Sequence, residues 1–263
     1  NDDRMKKCAE ACPYDAVELD QQPEKKTLKV KSIVWATGWS PYDANKIENL
    51  GFGRYKNVIN NVMMERMAAV NGPTQGKIQR PDGGEKLENV VFVQCAGSRD
   101  ENYLEYCSGI CCLASMKQAR YIREQYPDAE IHMFYIDVRS PGRMEDFYTD
   151  SQKDEKFFFH RGKVAEVKEI GDGRLKIAAE NTLTGDITEM EADMVVLATG
   201  MVPNTAIDKP TVELNLDNNG FIVENGGNII GAGTAVRPVD VATSVQDGTG
   251  AAVKAMSQQK GGK

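Results

Sequence analysis

Four of the six cysteines fall within eighteen residues, in the run Cys95-x11-Cys107-x3-Cys111-Cys112. Four thiolates in one small volume satisfy a tetrahedral zinc ion or a cubane iron–sulfur cluster. The adjacent pair Cys111-Cys112 is unlike a zinc knuckle, which favours C-x2-C pairs, and no C-x-x-C redox pair is present. Buried free thiols and a dithiol exchanging disulfides complete the alternatives. A second, smaller pair, Cys8 and Cys12 in CAEACP, reads more readily as structural or vestigial than as ligating.

The residues around the four cysteines, VVFVQCAGSRDENYLEYCSGICCLASMKQA, start as a buried strand and end as an amphipathic helix. The thiols therefore belong at the end of a strand in an α/β domain. Strand-like and helix-like stretches alternate beyond it: SMKQARYIREQYP as helix, EIHMFYIDV as strand, FFFHRGKVAEVKEI and RLKIAAEN as strands, MVVLATG as a closing strand. That alternation predicts doubly wound parallel sheets. TLKVKSIVWATGWSPYD reads as a strand pair and NVMMERMAAV as a short helix. Residues 71–89, rich in Gly and Pro, read as a linker.

Two apolar strands end in the same tripeptide, Ala36-Thr37-Gly38 and Ala198-Thr199-Gly200, about 160 residues apart. Glycine at a strand end lets a flat cofactor or a neighbouring strand approach the backbone. Near the C-terminus a strand is followed by Gly233-Thr234 and a helix starting near Ala242-Thr243-Ser244. A helix start presents free N–H groups to a phosphate or an electron-rich ring.

Bulk properties narrow the field. At 263 residues, 41% hydrophobic and 27% charged, the composition is that of ordinary globular domains. The net charge of −7 gives no reason to expect nucleic acid. No apolar stretch approaches the roughly 18 residues of a membrane span. Clustered rather than scattered cysteines fit a reducing compartment, here the cytoplasm.

These residues resemble the two-dinucleotide-binding-domain flavoproteins related to thioredoxin reductase. More narrowly, FVQCAGSRD, YCSGICC, YIDVRSPGRMEDFY and ATGMVPN resemble the flavoprotein A subunit of heterodisulfide reductases. Within that group CAGSRDENYLEYCSGICCLAS looks most like the A subunit of the quinone-interacting membrane-bound oxidoreductase of sulfate reducers. The resemblance implies a thioredoxin-reductase-like α/β fold with a partial FAD domain and an inserted second domain. Its expected divisions are 1–70 for the FAD-domain part (1–20 a degenerate ferredoxin-like segment), 71–89 as linker, 90–203 as the inserted Rossmann-like domain and 204–263 as the return to the FAD domain.

It further implies FAD lined by Thr37, Gly38 and Trp39, by Gly233 and Thr234, and by Ala242, Thr243 and Ser244. A 4Fe-4S cluster would sit on Cys95, Cys107, Cys111 and Cys112. The implied role is an electron-transfer oxidoreductase subunit, cytoplasmic and membrane-associated through partner subunits. It would link a quinone pool with adenylylsulfate reductase, or feed other heterodisulfide reductase subunits toward disulfide reduction, with flavin bifurcation as a variant. No residue need act as acid, base or nucleophile.

Two departures qualify the likeness. The G-x-G-x-x-G strand–turn–helix that holds the ADP half of FAD is absent, which predicts an N-terminally truncated FAD domain. A ferredoxin motif ending at Cys12-Pro13 would need cysteines where Asp2 and Met5 stand. In the inserted domain only Gly97 follows the first strand, so pyridine nucleotide has no glycine cradle. Asp137 occupies the ribose-binding position but reads as a structural turn. Tyr103 and Tyr106 are expected to shield the cluster, Phe157-Phe158-Phe159 to be core, and His132 and His160 to be packed side chains. Two other functions stay open on the residues alone: a pyridine-nucleotide disulfide oxidoreductase working through Cys111-Cys112, and a zinc-stabilised binding module.

Overall fold

The computed structural model describes residues 3–208, 210–223 and 227–260. The chain divides into two units, 1–31 and 32–263. The first holds one helix, α1 (Asp3–Glu10), which buries none of its residues. Cys8 lies on it and Cys12 follows it, with the Cys12 sulfur accepting the Ala16 N–H at 3.4 Å. Asp2 lies outside the described residues. The expected strand over TLKVK does not form; residues 21–32 carry no regular structure.

The second unit runs β1 (Ile33–Trp35), β2 (Trp39–Pro41), β3 (Val58–Asn60), α2 (Asn61–Ala68), β4 (Asn89–Ala96), α3 (Cys111–Gln125) and β5 (Glu130–Tyr135). It continues through α4 (Met144–Gln152), β6 (Phe157–Gly171), β7 (Arg174–Asn181), β8 (Ile187–Ala192) and β9 (Met194–Thr199). It ends with β10 (Met201–Pro203), α5 (Asn204–Ile207), β11 (Ile229–Gly231) and α6 (Val241–Lys260).

One seven-stranded sheet dominates, in the order β3-β9-β4-β5-β6-β7-β8. Its pairings from β3 to β6 are parallel. The β6–β7 and β7–β8 pairings are antiparallel. The parallel strands read as continuous apolar runs because helices and the antiparallel meander cover both faces. Phe92, Met116, Ile122, Ile131 and Met133 are completely buried between β4, β5 and α3. Burial of each stabilises by about 1.5–3 kcal/mol.

Three details differ from the sequence reading. β3 and α2 belong to this sheet layer, since Val58–Asn60 pair with Val195–Leu197 of β9. The sheet therefore begins ahead of the residue 71–89 segment, not after it. That segment is also no free linker: Ile78 is fully buried, its N–H donates to Gln125 Oε1 at 2.9 Å and its carbonyl accepts the Tyr126 hydroxyl. Among the three phenylalanines only Phe157 and Phe159 join the core. Strand alternation turns Phe158 to the other face, where it stays 36% exposed and stacks on His132.

A smaller part holds β1 and β11, parallel with Trp35 opposite Gly231. Ala251 and Ala255 of α6 pack on Ile230 and Ala232. The chain passes between this part and the large sheet twice, and β2 and β10 pair antiparallel at the crossings. Both Ala-Thr-Gly tripeptides sit there. Gly38, at φ +76°, adopts a left-handed turn that a side chain would strain.

Candidate functional site

The thiols are positioned by a disturbance at the end of β4. The β4–β9 register shifts between Val93 and Ala96, and Cys95 in the shift takes φ +54°. A non-glycine residue held in that region marks a backbone fixed by its surroundings. The following loop folds onto itself: Leu104 N–H donates to Gly97 at 3.0 Å, Asp100 N–H to Leu104 at 2.9 Å and Arg99 N–H to Tyr106 at 3.2 Å. Cys111 and Cys112 then open α3, whose N-cap residue Ile110 offers no capping side chain. Two thiols thus sit on the positive end of a helix, which offsets part of what burial costs their anionic form.

The backbone also reaches the sulfurs. Gly109 N–H donates to Cys107 Sγ at 3.4 Å. Cys111 Sγ lies 3.7 Å from the Thr199 carbonyl and Cys112 Sγ 3.8 Å from the Asp137 carbonyl. All six cysteines carry free thiols. Burial, then the Cys112 charge, pushes the Cys95 thiol up to about 11. Burial and the other three sulfurs raise Cys111, and burial raises Cys112. The four predicted thiols thus lie near enough to raise one another, in one neighbourhood. Among the described residues, though, no three Cys, His, Asp or Glu side chains converge on a point that could hold a single metal ion.

The second Ala-Thr-Gly closes over this loop. A Cβ on Gly200 would meet the Ser98 hydroxyl, so the loop packs here against bare backbone. Met201 donates its N–H to Ser108 Oγ at 2.8 Å and accepts the Tyr106 hydroxyl at 2.7 Å. Tyr106 meets Phe221 edge to face, and Tyr103 meets Tyr42 in the same manner. Both tyrosines are therefore held by ring contacts beside the loop.

Of the residues singled out for flavin, Thr37, Gly38, Trp39, Gly233 and Thr234 follow two adjacent strands, and Ala242, Thr243 and Ser244 lie in the first turn of α6. β1 and β11 are parallel neighbours, and Ala232 N–H donates to the Trp35 carbonyl at 3.0 Å. Thr37-Gly38-Trp39 and Gly233-Thr234 consequently emerge from the C-terminal ends of adjacent strands, where open α/β sheets bind their ligands. Gly233 backs onto Ser244 of α6. The helix starts at Val241, slightly earlier than expected, because Asp240 caps it: its carboxylate accepts Thr243 N–H at 2.7 Å. The free amides at this helix start are accordingly those ahead of Thr243.

Several contributing residues had no place in the sequence reading. Asn204 ties both crossings together, donating from its side chain to the Thr37 carbonyl at 2.7 Å and accepting from Ser40 Oγ at 2.7 Å. Asp240 was legible as an N-cap ahead of an apolar-periodic run. Arg99 carried no signal, since a lone cation in a loop looks like any solvated charge. Asp137, at the ribose-binding position, is engaged by Arg99 at 2.6 Å and by Arg139 at 3.4 Å. His132 and His160 hydrogen-bond to each other at 2.9 Å within an aromatic stack. Burial and its neighbour push His132 down to about 4, so the pair is neutral at ordinary pH.

No protein-family model matches the chain. Among solved structures, thioredoxin reductase from Lactococcus lactis aligns at TM-score 0.55 and 17% identity, over 87% of this chain and 66% of that one. Thioredoxin reductase from T. acidophilum aligns at TM-score 0.54 and 16% identity with the same coverage. These establish the fold: thioredoxin-reductase-like, of the two-dinucleotide-binding-domain kind. Among curated proteins, the A subunit of the H(2):CoB-CoM heterodisulfide,ferredoxin reductase of Methanothermobacter thermautotrophicus is 38% identical over 94% of this chain and 40% of its own length. The A subunit of the ferredoxin/F(420)H(2)-dependent CoB-CoM heterodisulfide reductase of Methanosarcina acetivorans is 42% identical over 80% of this chain and 26% of its own length. An iron–sulfur A subunit of the CoB--CoM heterodisulfide reductase of Methanopyrus kandleri is 38% identical over 92% and 39%. The chain thus spans about 40% of the length of the first of these relatives. Over that span its sequence is similar to the A subunits of heterodisulfide reductases.

Proposed function

We propose that this chain is the electron-relay part of a multi-subunit oxidoreductase, holding FAD against the β1/β11 strand ends and a 4Fe-4S cluster on Cys95, Cys107, Cys111 and Cys112. The observation that carries the reading is the position of the four thiols. They occupy the turn from β4 into α3, where a dinucleotide-binding domain would open its glycine cradle. The donor set fits a cluster better than zinc. A lone zinc needs its four sulfurs about 3.8 Å apart, given bonds of about 2.3 Å in a tetrahedron. A cubane bonds one sulfur at each of its separate iron corners, and the adjacent Cys111-Cys112 pair is unlike the C-x2-C pairs of zinc knuckles.

Such a pair of centres supplies two-electron chemistry at the flavin and one-electron steps at the cluster. The chain's own work is holding and shielding. The α3 N-terminus and the Gly109 amide offset part of the cost of sulfur anions, while Tyr103, Tyr106 and the Gly200 crossing would cover one side of the centre. Thr37, Gly38 and Trp39 with Gly233, Thr234, Ala242, Thr243 and Ser244 would border the flavin. Asp137 is already engaged by two arginines, so no ribose acceptor stands ready for a pyridine nucleotide.

The described residues include no helix long and apolar enough to cross a membrane. A cytoplasmic place, with membrane association through partner subunits, fits that reading. The wording of the cysteine loop favours a quinone-linked complex whose redox partner is adenylylsulfate reductase. The curated relatives favour other heterodisulfide reductase subunits as partners. Pull-down of the complex from its native cell, with identification of the co-purifying reductase, decides between them.

Anaerobic purification with iron, acid-labile sulfide and zinc assays tests the centre itself. Roughly four irons and four sulfides per chain are expected. Cys107→Ser or Cys112→Ser should abolish the cluster's broad visible absorbance, and Cys8→Ser should leave it. Stoichiometric zinc without sulfide would sink the proposal.

A further inference from the structure

We infer that Arg99 is a positioning charge for the four-thiol centre, clamped by Asp137 so that a fixed cation stands beside Cys107 at the centre's open side. The inference rests on the cluster reading above and adds a residue that sets the centre's electron affinity.

Three observations carry it. Arg99 and Cys107 line the same opening, a cavity of about 760 Å³ whose other walls are Asp100, Glu101, Glu105 and Arg139. The Arg99 guanidinium is fixed by the Asp137 carboxylate at 2.6 Å, and the carbonyl of that same Asp137 faces Cys112 Sγ. The cation is thereby tied to the ligand loop at both ends. The Arg99 backbone is also held in the left-handed region at φ +55°, with its N–H bound to the Tyr106 carbonyl. A non-glycine residue kept there by its loop is placed by the surrounding structure, not by its own preference.

Of the other charges on this side, Asp100 is paired with Lys163 at 2.7 Å, Arg139 meets the same Asp137 oxygen at 3.4 Å, and Glu101 and Glu105 are exposed to solvent. Arg99 is the less exposed of the two arginines, its side chain 24% accessible against 55% for Arg139. Reduction adds negative charge to a thiolate-bound centre. A nearby fixed cation stabilises the reduced form more than the oxidised one and so raises the potential.

The test is a redox titration, followed by electron paramagnetic resonance, of the full-length protein with its cluster loaded. Arg99→Gln and Arg99→Met remove the charge and Arg99→Lys keeps it. Iron and sulfide content is measured alongside. Both neutral variants should titrate at a more negative midpoint than wild type, and Arg99→Lys should stay near wild type. If the neutral variants fail to load while Arg99→Lys loads, the need for charge is supported. Wild-type midpoint in either neutral variant, an Arg99→Lys shift as large as that of Arg99→Gln, or loss of the cluster in all three variants overturns the inference. Absence of iron and sulfide from the wild type would instead overturn the underlying cluster reading.

Discussion

Arg80 and Asp82 are the buried ion pair of the segment before β4, 2.6 Å apart and both largely shielded from solvent. Burial alone would raise the Asp82 carboxyl, but the Arg80 guanidinium, the Gly84 amide and the Asn57 side chain bring it down to about 2. A carboxyl depressed in the folded state stabilises the fold above its unfolded value of about 3.9. That contribution fades as pH falls from there through about 2. Urea midpoints measured across this window should therefore drop more steeply in wild type than in Asp82→Asn. Parallel acid limbs would show that the pair does not hold the segment. The thiols differ from this pair in legibility. Their types and spacing carried the cysteine site without any structure. Arg99 and Asn204 stayed hidden because their roles depend on which carbonyl or carboxylate the fold brings near, and no local pattern encodes that.

At the scale of elements, α2 shows how a short helix is held in place. Asn60 ends β3 and its side chain accepts the Met63 N–H at 2.8 Å, satisfying an amide that the first turn leaves open. Met64 and Met67 then bury against α3 and the sheet. Asn60→Ala should cost about 1 kcal/mol, read as a lower denaturation midpoint with unchanged m-value. Asn60→Asp should recover most of the loss, because a carboxylate also caps. The two Ala-Thr-Gly strands and the β4–α3–β5 unit were readable from apolar runs bounded by glycine and from helical periodicity. β3 was not, since three residues of sheet, Val58–Asn60, are too few to show a period and gain their strand geometry only by pairing with β9. The 71–89 segment was misread for a related reason. Its glycines and prolines suggested free chain, while Ile78, Arg80 and Leu87 are spaced irregularly and anchor it one by one. β6 and β7 were visible as strands and β8 was not, and the antiparallel direction of all three depends on tight turns that parallel crossovers lack.

The molecule's larger unit is organised by two crossings between a small parallel pair and a large sheet, and the cysteine loop and the proposed flavin border lie on either side of them. β2 and β10 contribute three paired residues each, Trp39 with Pro203, Ser40 with Val202 and Pro41 with Met201. A two-stranded ribbon this short is marginal by itself. Asn204 supplies what the ribbon lacks, its side-chain amide reaching the Thr37 carbonyl and its oxygen taking the Ser40 hydroxyl. Two hydrogen bonds of about 0.5–1.5 kcal/mol each are at stake, a sum that decides whether the two parts unfold together. Asn204→Ala should therefore split urea unfolding into two transitions, a lower one reported by Trp35 and Trp39 fluorescence and a higher one by far-ultraviolet circular dichroism of the large sheet. Asn204→Asp should separate them further, because its carboxylate would face the Thr37 carbonyl with no hydrogen to donate. Limited proteolysis of either variant should cut around residues 36–41 sooner than in wild type. A single coincident transition in Asn204→Ala would mean that β2 and β10 couple the two parts unaided, and that the asparagine following the second Ala-Thr-Gly strand serves the local turn alone.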